Sequence, residues 1–472
     1  MQNGLRSILS ILAMAVLCIQ TQTALADTVE ITVNPKARYQ TMSGWEVTAR
    51  AMELGKQYNH FDPEWHNFSD AMFDTLVNEI GVNRIRLSLR SGFENTTDFW
   101  SQFVKGEISY EDFKANFYNK VNDNNDPNAT NSKGFQFSQL DYQVTRMLHP
   151  MMERAKKNGE RIYVNLCFVD FDKGQNKTRF NHADSPEEYA ELVAAAFVHL
   201  KKQYGIVPDA LEVILEPDFT ARWKNSGRQI GEAAAAAMRR LTNLGFSPEL
   251  ILPSTKRADL AVSLFEQALQ VPGVRQHVGA IAYHRYSKAT PDVVRGIAET
   301  ARRYGVRSEM LEYVQGSAYH LHLDMEQGVS AWQSYSIGAW RRPDNKPTRG
   351  TLLYIERDTG AVYPSTQGLH MMQYMRYVRL DAQRIGASTS VPAFATVAFE
   401  NKDGGQVVVV RADAKGPIVI RGMKPDNYSA TYANWKSGGN PVQVISSQSG
   451  EMLTVNMPVK GELTVFPSRM VK

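Results

Sequence analysis

Between about residues 40 and 380 the chain alternates two kinds of segment, and this alternation narrows its fold more than any other feature. Short apolar runs read as strands: TMSGWEV, NRIRLSLR, RIYVNLCFV, LEVILE, LILPST, AIAYHRY, RSEMLEY and VSAWQSYSI. Amphipathic stretches lie between them, such as SPEEYAELVAAAFVHLKKQ (185–203), GEAAAAAMRRLTNL (231–244) and TPDVVRGIAETARRY (290–304). In the first of these Ser185 offers an N-cap, Pro186 suits the first helical position and Glu187 gives an acidic first turn. Strands alternating with helices predict parallel βα units. The count of eight predicts an α/β fold, a closed (β/α)8 TIM barrel over residues 40–383. An open doubly wound sheet is the alternative, but no Gly-rich phosphate loop follows the first strand.

After about residue 385 the pattern changes to short alternating strands divided by Gly, Asn, Asp and Ser turns: FATVAFE, QVVVVRA, PIVIRGM, YSATYAN, PVQVISS, MLTVNMP and ELTVFP. This predicts a C-terminal antiparallel β-sandwich over 384–472. TVEITVNP is strand-like too, so residues 27–39 are expected to join that sandwich. Segment 94–138 breaks the barrel's alternation. Its stretch NKVNDNNDPNATNSKG (119–134) reads either as a substrate loop on the barrel's C-terminal rim or as a surface excursion.

Arg6, the apolar stretch 7–19 and the small-residue site ALA at 24–26 together predict a signal peptide over residues 1–26, cleaved before Asp27. The apolar stretch is short of the roughly 20 residues that span a bilayer, so the expectation is a secreted or periplasmic protein without membrane insertion. Cys18 falls in that segment, leaving Cys167 with no intramolecular partner. In YVNLCFVDF it reads as a small buried hydrophobe. A net charge of +4 with no dense Lys/Arg run argues against a nucleic-acid partner. Nothing indicates a nucleotide, redox or other cofactor.

The chemistry is concentrated in two stretches, LEVILEPD and SEMLEYVQG, where strands end on Glu216 and Glu312. These are the fourth and seventh strands by count, and barrel strands deliver functional groups at their C-terminal ends. Two carboxylates facing one cavity suit glycoside hydrolysis, one protonating the leaving oxygen and the other attacking the anomeric carbon or activating water. Burial and neighbouring charge would separate their pKa values. Taken singly, each reads equally as a rim salt bridge, and Glu309 is the next nucleophile candidate in its strand. A metal-dependent hydrolase is a second reading, from His320, His322 and Asp324 in AYHLHLD, since alternating residues share one face of a strand. No third His or bridging carboxylate is evident for it.

QTMSGWE (40–46), GVNRIRLSLR, ILEPD, IAYHRY, EMLEY, SAWQSY and GLHMMQYMRYVRLDAQRI (368–385) occur in the order found in the clan A retaining glycoside hydrolases. Over nearly the whole length after residue 26 the sequence resembles glycoside hydrolase family 30 most. The resemblance implies a carbohydrate substrate, a polysaccharide or glycoconjugate, with Glu216 as acid/base and Glu312 as nucleophile. It implies that Arg86 bonds the nucleophile from the barrel floor, that His284 and Tyr286 border the cavity, and that Trp332 or Tyr335 forms a stacking surface for sugar. Trp45, in the opening strand, joins the substrate-binding set. The residues alone leave open an Arg86–Glu212 pair and a Trp332 that is plain core.

Two departures stand out. Where the family has Asn immediately before the acid/base, this sequence has Leu215. Either another donor replaces it, Asn165 being the candidate, or the substrate offers nothing there to bond; the alternative is that catalysis has decayed and the barrel only binds glycan. The third strand's VNLCFVDFDKG carries Asn165, Asp170 and Asp172, which form either a polar subsite or a loop cap. Glu46 and Arg50 are expected on the rim of the first strand. There, with Arg90 and Lys173, they read as surface charge by default or as a clamp for an acidic substituent.

Overall fold

The structure, a computed structural model, describes residues 28–52, 62–171, 180–220, 222–223, 226–342, 348–434, 443–445 and 452–471. The signal segment with Cys18, and also Asp172 and Lys173, lie outside the described residues. Strand β1 (Val29–Thr41) precedes eight strands that close on themselves: β2 (Gly44–Thr48), β3 (Arg84–Arg90), β4 (Tyr163–Val169), β5 (Ala210–Glu212), β6 (Glu249–Arg257), β7 (Val278–Ser287), β8 (Arg307–Met310) and β9 (Ala331–Ser334). Every neighbouring pair is parallel, from β2–β3 round to β2–β9. The eight-stranded barrel expected from the alternation is therefore present.

Side-chain parity explains the sequence of each strand. On β3, Ile85, Leu87 and Leu89 face the surrounding helices and join the main apolar core. Arg84 and Arg86 turn into the barrel, where they meet carboxylates from other strands. The helices outside end as their sequences dictate. Pro186–Tyr204 has Pro186 in its first turn and stops at Gly205, whose φ of 69° is a left-handed cap. Ser185 occupies the N-cap position but makes no capping bond. Thr290 does cap Pro291–Tyr304, accepting from the Val293 N–H.

VSAWQSYSI is not one strand. It divides at Tyr335 into β9 and β10 (Ser336–Trp340), and β10 leaves the barrel to pair with β11 (Thr351–Ile355), itself paired with β12 (Val362–Pro364). Beyond it, strands β13 (Gln383–Thr389), β14 (Phe394–Glu400), β15 (Gln406–Ala412), β16 (Gly416–Arg421), β17 (Tyr428–Asn434), β18 (Gln443–Ile445), β19 (Met452–Met457) and β20 (Gly461–Pro467) form one nine-stranded sheet with β1. All its pairs are antiparallel except β1–β16. It encloses its own apolar core, with Ile31, Val408, Ile418, Leu453 and Val465 fully or almost fully buried. The helix Thr366–Met375 abuts this sheet through Gln373, whose carbonyl accepts from Thr464 Oγ1 at 2.7 Å. Among the described residues no helix is long and apolar enough to cross a membrane.

Candidate active site

The C-terminal mouth of the barrel gathers Glu216, Glu312, His284, Tyr286 and Arg86. Beyond Glu212 the fourth barrel strand leaves the ladder, and Glu216 sits at φ 48°, a left-handed conformation unusual for a residue with a side chain. Its backbone is held there by a bond from its N–H to the Ser254 carbonyl, 3.0 Å. One carboxylate oxygen of Glu216, one of Glu312 and a ring nitrogen of His284 all lie within 4.8 Å of one another. That spacing also admits a cation, but Arg86 already places a positive charge against Glu312.

Glu312 is closely held. Arg86 Nη2 donates to its Oε2, Arg86 Nη1 donates to the neighbouring Leu311 carbonyl at 2.9 Å, and Tyr286 Oη donates to its Oε1 at 2.8 Å. Burial opposes ionisation, yet Arg86, His284 and the Tyr286 hydroxyl together hold the carboxyl below its ordinary range. Burial and then the adjacent Glu312 charge push the Tyr286 phenol up, so it stays a donor.

Glu216 contacts His284 Nδ1 through Oε1 at 2.9 Å. The other side of that ring fixes the tautomer. Ser254 Oγ donates its one proton to Glu212 Oε1 at 2.6 Å, so at 3.2 Å it can only accept from His284 Nε2–H. The Nδ1–Glu216 contact then holds a single proton, resting on one partner or the other. Burial disfavours charge on His284, but the bond to Glu216 and the charge of Glu312 raise its pKa above the usual value. His284 thus sets a hydrogen-bond partner against Glu216, while Arg86 and Tyr286 favour the ionised form of Glu312.

Tyr335 stands at the same mouth, half-buried, its hydroxyl accepting from Arg50 Nη1 at 2.9 Å. The remaining sequence candidates go elsewhere. Trp45 and Trp332 are neighbours in register on β2 and β9, on the parity that faces outward. Both are buried under helices, Trp45 Nε1 donating to the Val378 carbonyl (2.6 Å) and Trp332 Nε1 to Asp324 (2.8 Å), so neither presents a ring to the cavity. Asn165 points into the barrel but below the mouth, its amide donating to Glu212 at 2.8 Å with no exposed surface. Glu46 is a floor residue, sealed between Arg84 and Gln333, not a rim charge. Arg90 is likewise buried, 3.8 Å above the Phe117 ring. Asp170 accepts from Ser91 and from the fully buried Lys120, both at 2.8 Å, which makes it an anchor for the insertion.

His320, His322 and Asp324 lie on a helix, Ala318–Gln327, so strand alternation does not bring them together. His320 bonds Ser317, His322 bonds Tyr374, and Asp324 serves Trp332, Tyr283 and Arg285. Some mouth residues carry no strand-end signal in the sequence. Leu215 packs with Cys167 and Val169 against Tyr118 of the insertion, with Phe171 alongside. Phe219, three residues past Glu216, is 46% exposed with its ring 6.0 Å from that of Phe171. The one signal the sequence offers for it is an aromatic residue three positions after Glu216.

No family model matches the sequence. Among solved structures, the catalytic domain of the GH30 xylanase C from Talaromyces cellulolyticus is similar over 93% of this chain and 99% of that one. The TM-score is 0.68 and the sequence identity 17%. The chain has the fold of the family 30 glycoside hydrolases. A family 30 subfamily 8 xylanase from Clostridium acetobutylicum matches with a TM-score of 0.61 at 16% identity, covering 93% and 98% of the two chains. An endo-β1,6-glucanase matches with a TM-score of 0.61 at 13% identity, covering 92% and 94%. The likeness to family 30 that the sequence motifs carry thus extends to both parts of the fold.

Proposed function

We propose that this protein is a glycoside hydrolase that works by retaining double displacement, with Glu312 as nucleophile and Glu216 as acid/base. The observation that carries this reading is the approach of the two carboxylates to within 4.8 Å across the barrel mouth. Retaining pairs stand about 5–5.5 Å apart, whereas inverting pairs leave about 6.5–9.5 Å for a water. The environments support the division of roles. Glu312, its ionised form favoured by Arg86 and Tyr286, suits attack on the anomeric carbon, while Glu216, hydrogen-bonded to His284 instead of to a cation, suits proton transfer to the leaving oxygen.

A carbohydrate substrate is supported by the neighbours, two of which are described as xylanases and one as an endo-β1,6-glucanase. Leu215 and Tyr118 offer an apolar wall beside the acid/base, so the sugar bound there meets no side-chain amide from that position. Phe219 and Phe171 supply the aromatic rim that Trp332 does not. The test is turnover of a panel of aryl and oligomeric β-xylosides and β-glucosides by the wild type, Glu216→Gln and Glu312→Ala. Wild-type turnover, lost in Glu312→Ala and restored by azide as a glycosyl azide, supports the assignment. Glycan binding unchanged in both variants, with no wild-type turnover, identifies a binding barrel instead.

We also read residues 1–26 as an export signal. N-terminal sequencing of protein recovered from a bacterial periplasm should begin at Asp27; an intact N-terminus would reject that reading.

A further inference from the structure

A second acidic centre, sharing no residue with the Glu216–Glu312 pair, forms where the 94–138 insertion folds onto the first turns of the helix Pro186–Tyr204. Glu94 follows the end of β3, Asp123 comes from the Asn/Asp-rich part of the insertion, and Glu188 from the helix. One carboxylate oxygen from each lies within 4.8 Å of the others. Glu94 is fully buried and Glu188 only 8% exposed. Part of their demand is met locally. The Asp123 N–H donates to Glu94 Oε1 at 3.2 Å, Asn122 Nδ2 to Glu188 Oε1 at 3.3 Å, and His182 Nε2 lies 2.6 Å from Glu94 Oε2.

The oxygens left over point to a ligand. Glu188 Oε2 and Asp123 Oδ1 are buried and have no hydrogen-bond partner, and fully buried Glu191, one turn along the helix, adds a third such oxygen in its Oε2. Of the cations nearby, Lys120 bonds Asp170 at 2.8 Å and its charge also acts on Glu94, while Arg240 reaches the Oε1 of Glu191 at 3.2 Å. Carboxylates gathered this closely, with one oxygen of each of Glu188 and Asp123 left without a donor, repel one another and forfeit solvation, a cost that one shared positive charge removes.

We propose that Glu94, Asp123 and Glu188 are ligands of a divalent cation, and that the cation is calcium. All the donors are hard oxygens, which calcium takes in irregular cages of loop and carboxylate groups. Calcium–oxygen bonds of about 2.3–2.6 Å let two ligands on opposite sides stand roughly 4.6–5.2 Å apart, so a spread within 4.8 Å needs no rearrangement. His182 fixes the orientation of Glu94 from outside the cluster, as partners of metal-bound carboxylates do. The ion would clip the insertion to the barrel and so set the position of Tyr118 beside Leu215.

The test is calorimetric titration of chelator-treated protein with calcium chloride near neutral pH, with melting followed in EDTA and in calcium. Wild type should take up a single ion and gain about 2 °C or more in apparent Tm. Glu188→Gln and Asp123→Asn should each weaken binding by about tenfold or more. In EDTA, Glu188→Gln should melt no lower than wild type, because it removes a repelling charge; that outcome separates a ligand from a merely structural residue. Absence of heat and of a melting response in wild type would overturn the proposal. So would calcium binding that both variants leave unchanged.

Discussion

At the floor of the barrel Arg84 lies between Glu46 and Glu309, all three side chains sealed from solvent. One pleat higher on the same strand, Arg86 holds Glu312 at the barrel mouth, beside His284, Tyr286 and Glu216. The two layers use the same ion pair. They differ in how completely each carboxylate is satisfied. Glu309 also accepts from Ser43 at 2.8 Å and from Arg307 at 3.1 Å, and its pKa falls to about 2 against the opposition of burial. Glu312 has one cation and one phenol and keeps 9% of its side chain open. A saturated pair of this kind fixes the barrel, while an incompletely saturated one at the mouth remains available to a substrate. The difference lies in position along the strand rather than in residue type.

The largest test of that contrast is Glu312→Ala, which should cut kcat by about 10⁴-fold or more, measured as aryl glycoside turnover. The corresponding floor substitution should leave the turnover of folded protein intact. Glu216→Gln comes next, with a loss on the order of 10²–10⁴ that shrinks for glycosides whose leaving groups need no proton. Equal losses for good and poor leaving groups would contradict its role as the acid.

Stability should report the reverse. Arg84→Met strands two buried carboxylates and should cost about 3–5 kcal/mol in denaturant unfolding. The pH dependence separates the layers further. Because its folded pKa is depressed, Glu309 contributes stability in full above the unfolded value of about 4.3, and that contribution is lost as pH falls through about 2. Glu312 is depressed too, so the acid limb of kcat/KM should lie below the ordinary carboxylate range. Arg86→Met should move that limb upward, whereas Arg84→Met should lower stability and leave the limb in place. The smallest effect expected is a rise of about tenfold or less in KM for Phe219→Ala, with kcat nearly unchanged.

The chain announced its barrel because buried parallel strands and amphipathic helices carry different periods, and it announced Glu216 and Glu312 because both close apolar runs, just beyond the ends of β5 and β8. What it hid depended on parity and on packing at a distance. Trp45 and Trp332 differ from cavity residues by a single position along their strands, and one step in register turns a side chain to the opposite face. AYHLHLD has the alternation of a strand, yet it forms a helix whose Asp324 serves Trp332 and Arg285 beneath the barrel wall. The break at Tyr335, which sends β10 into a separate sheet, carries neither Gly nor Pro to mark it. Burial of Lys120 against Asp170 joins residues fifty positions apart, through an insertion with no period to read.

The stereochemistry of the first product tests the account most directly. Proton NMR of a cleaved β-glycoside, recorded before mutarotation, should show the β-anomer if Glu312 and Glu216, with carboxylate oxygens within 4.8 Å, act as the proposed nucleophile and acid. An α-anomer would mean that water, not Glu312, attacks the sugar, and would contradict the pairing of the two carboxylates.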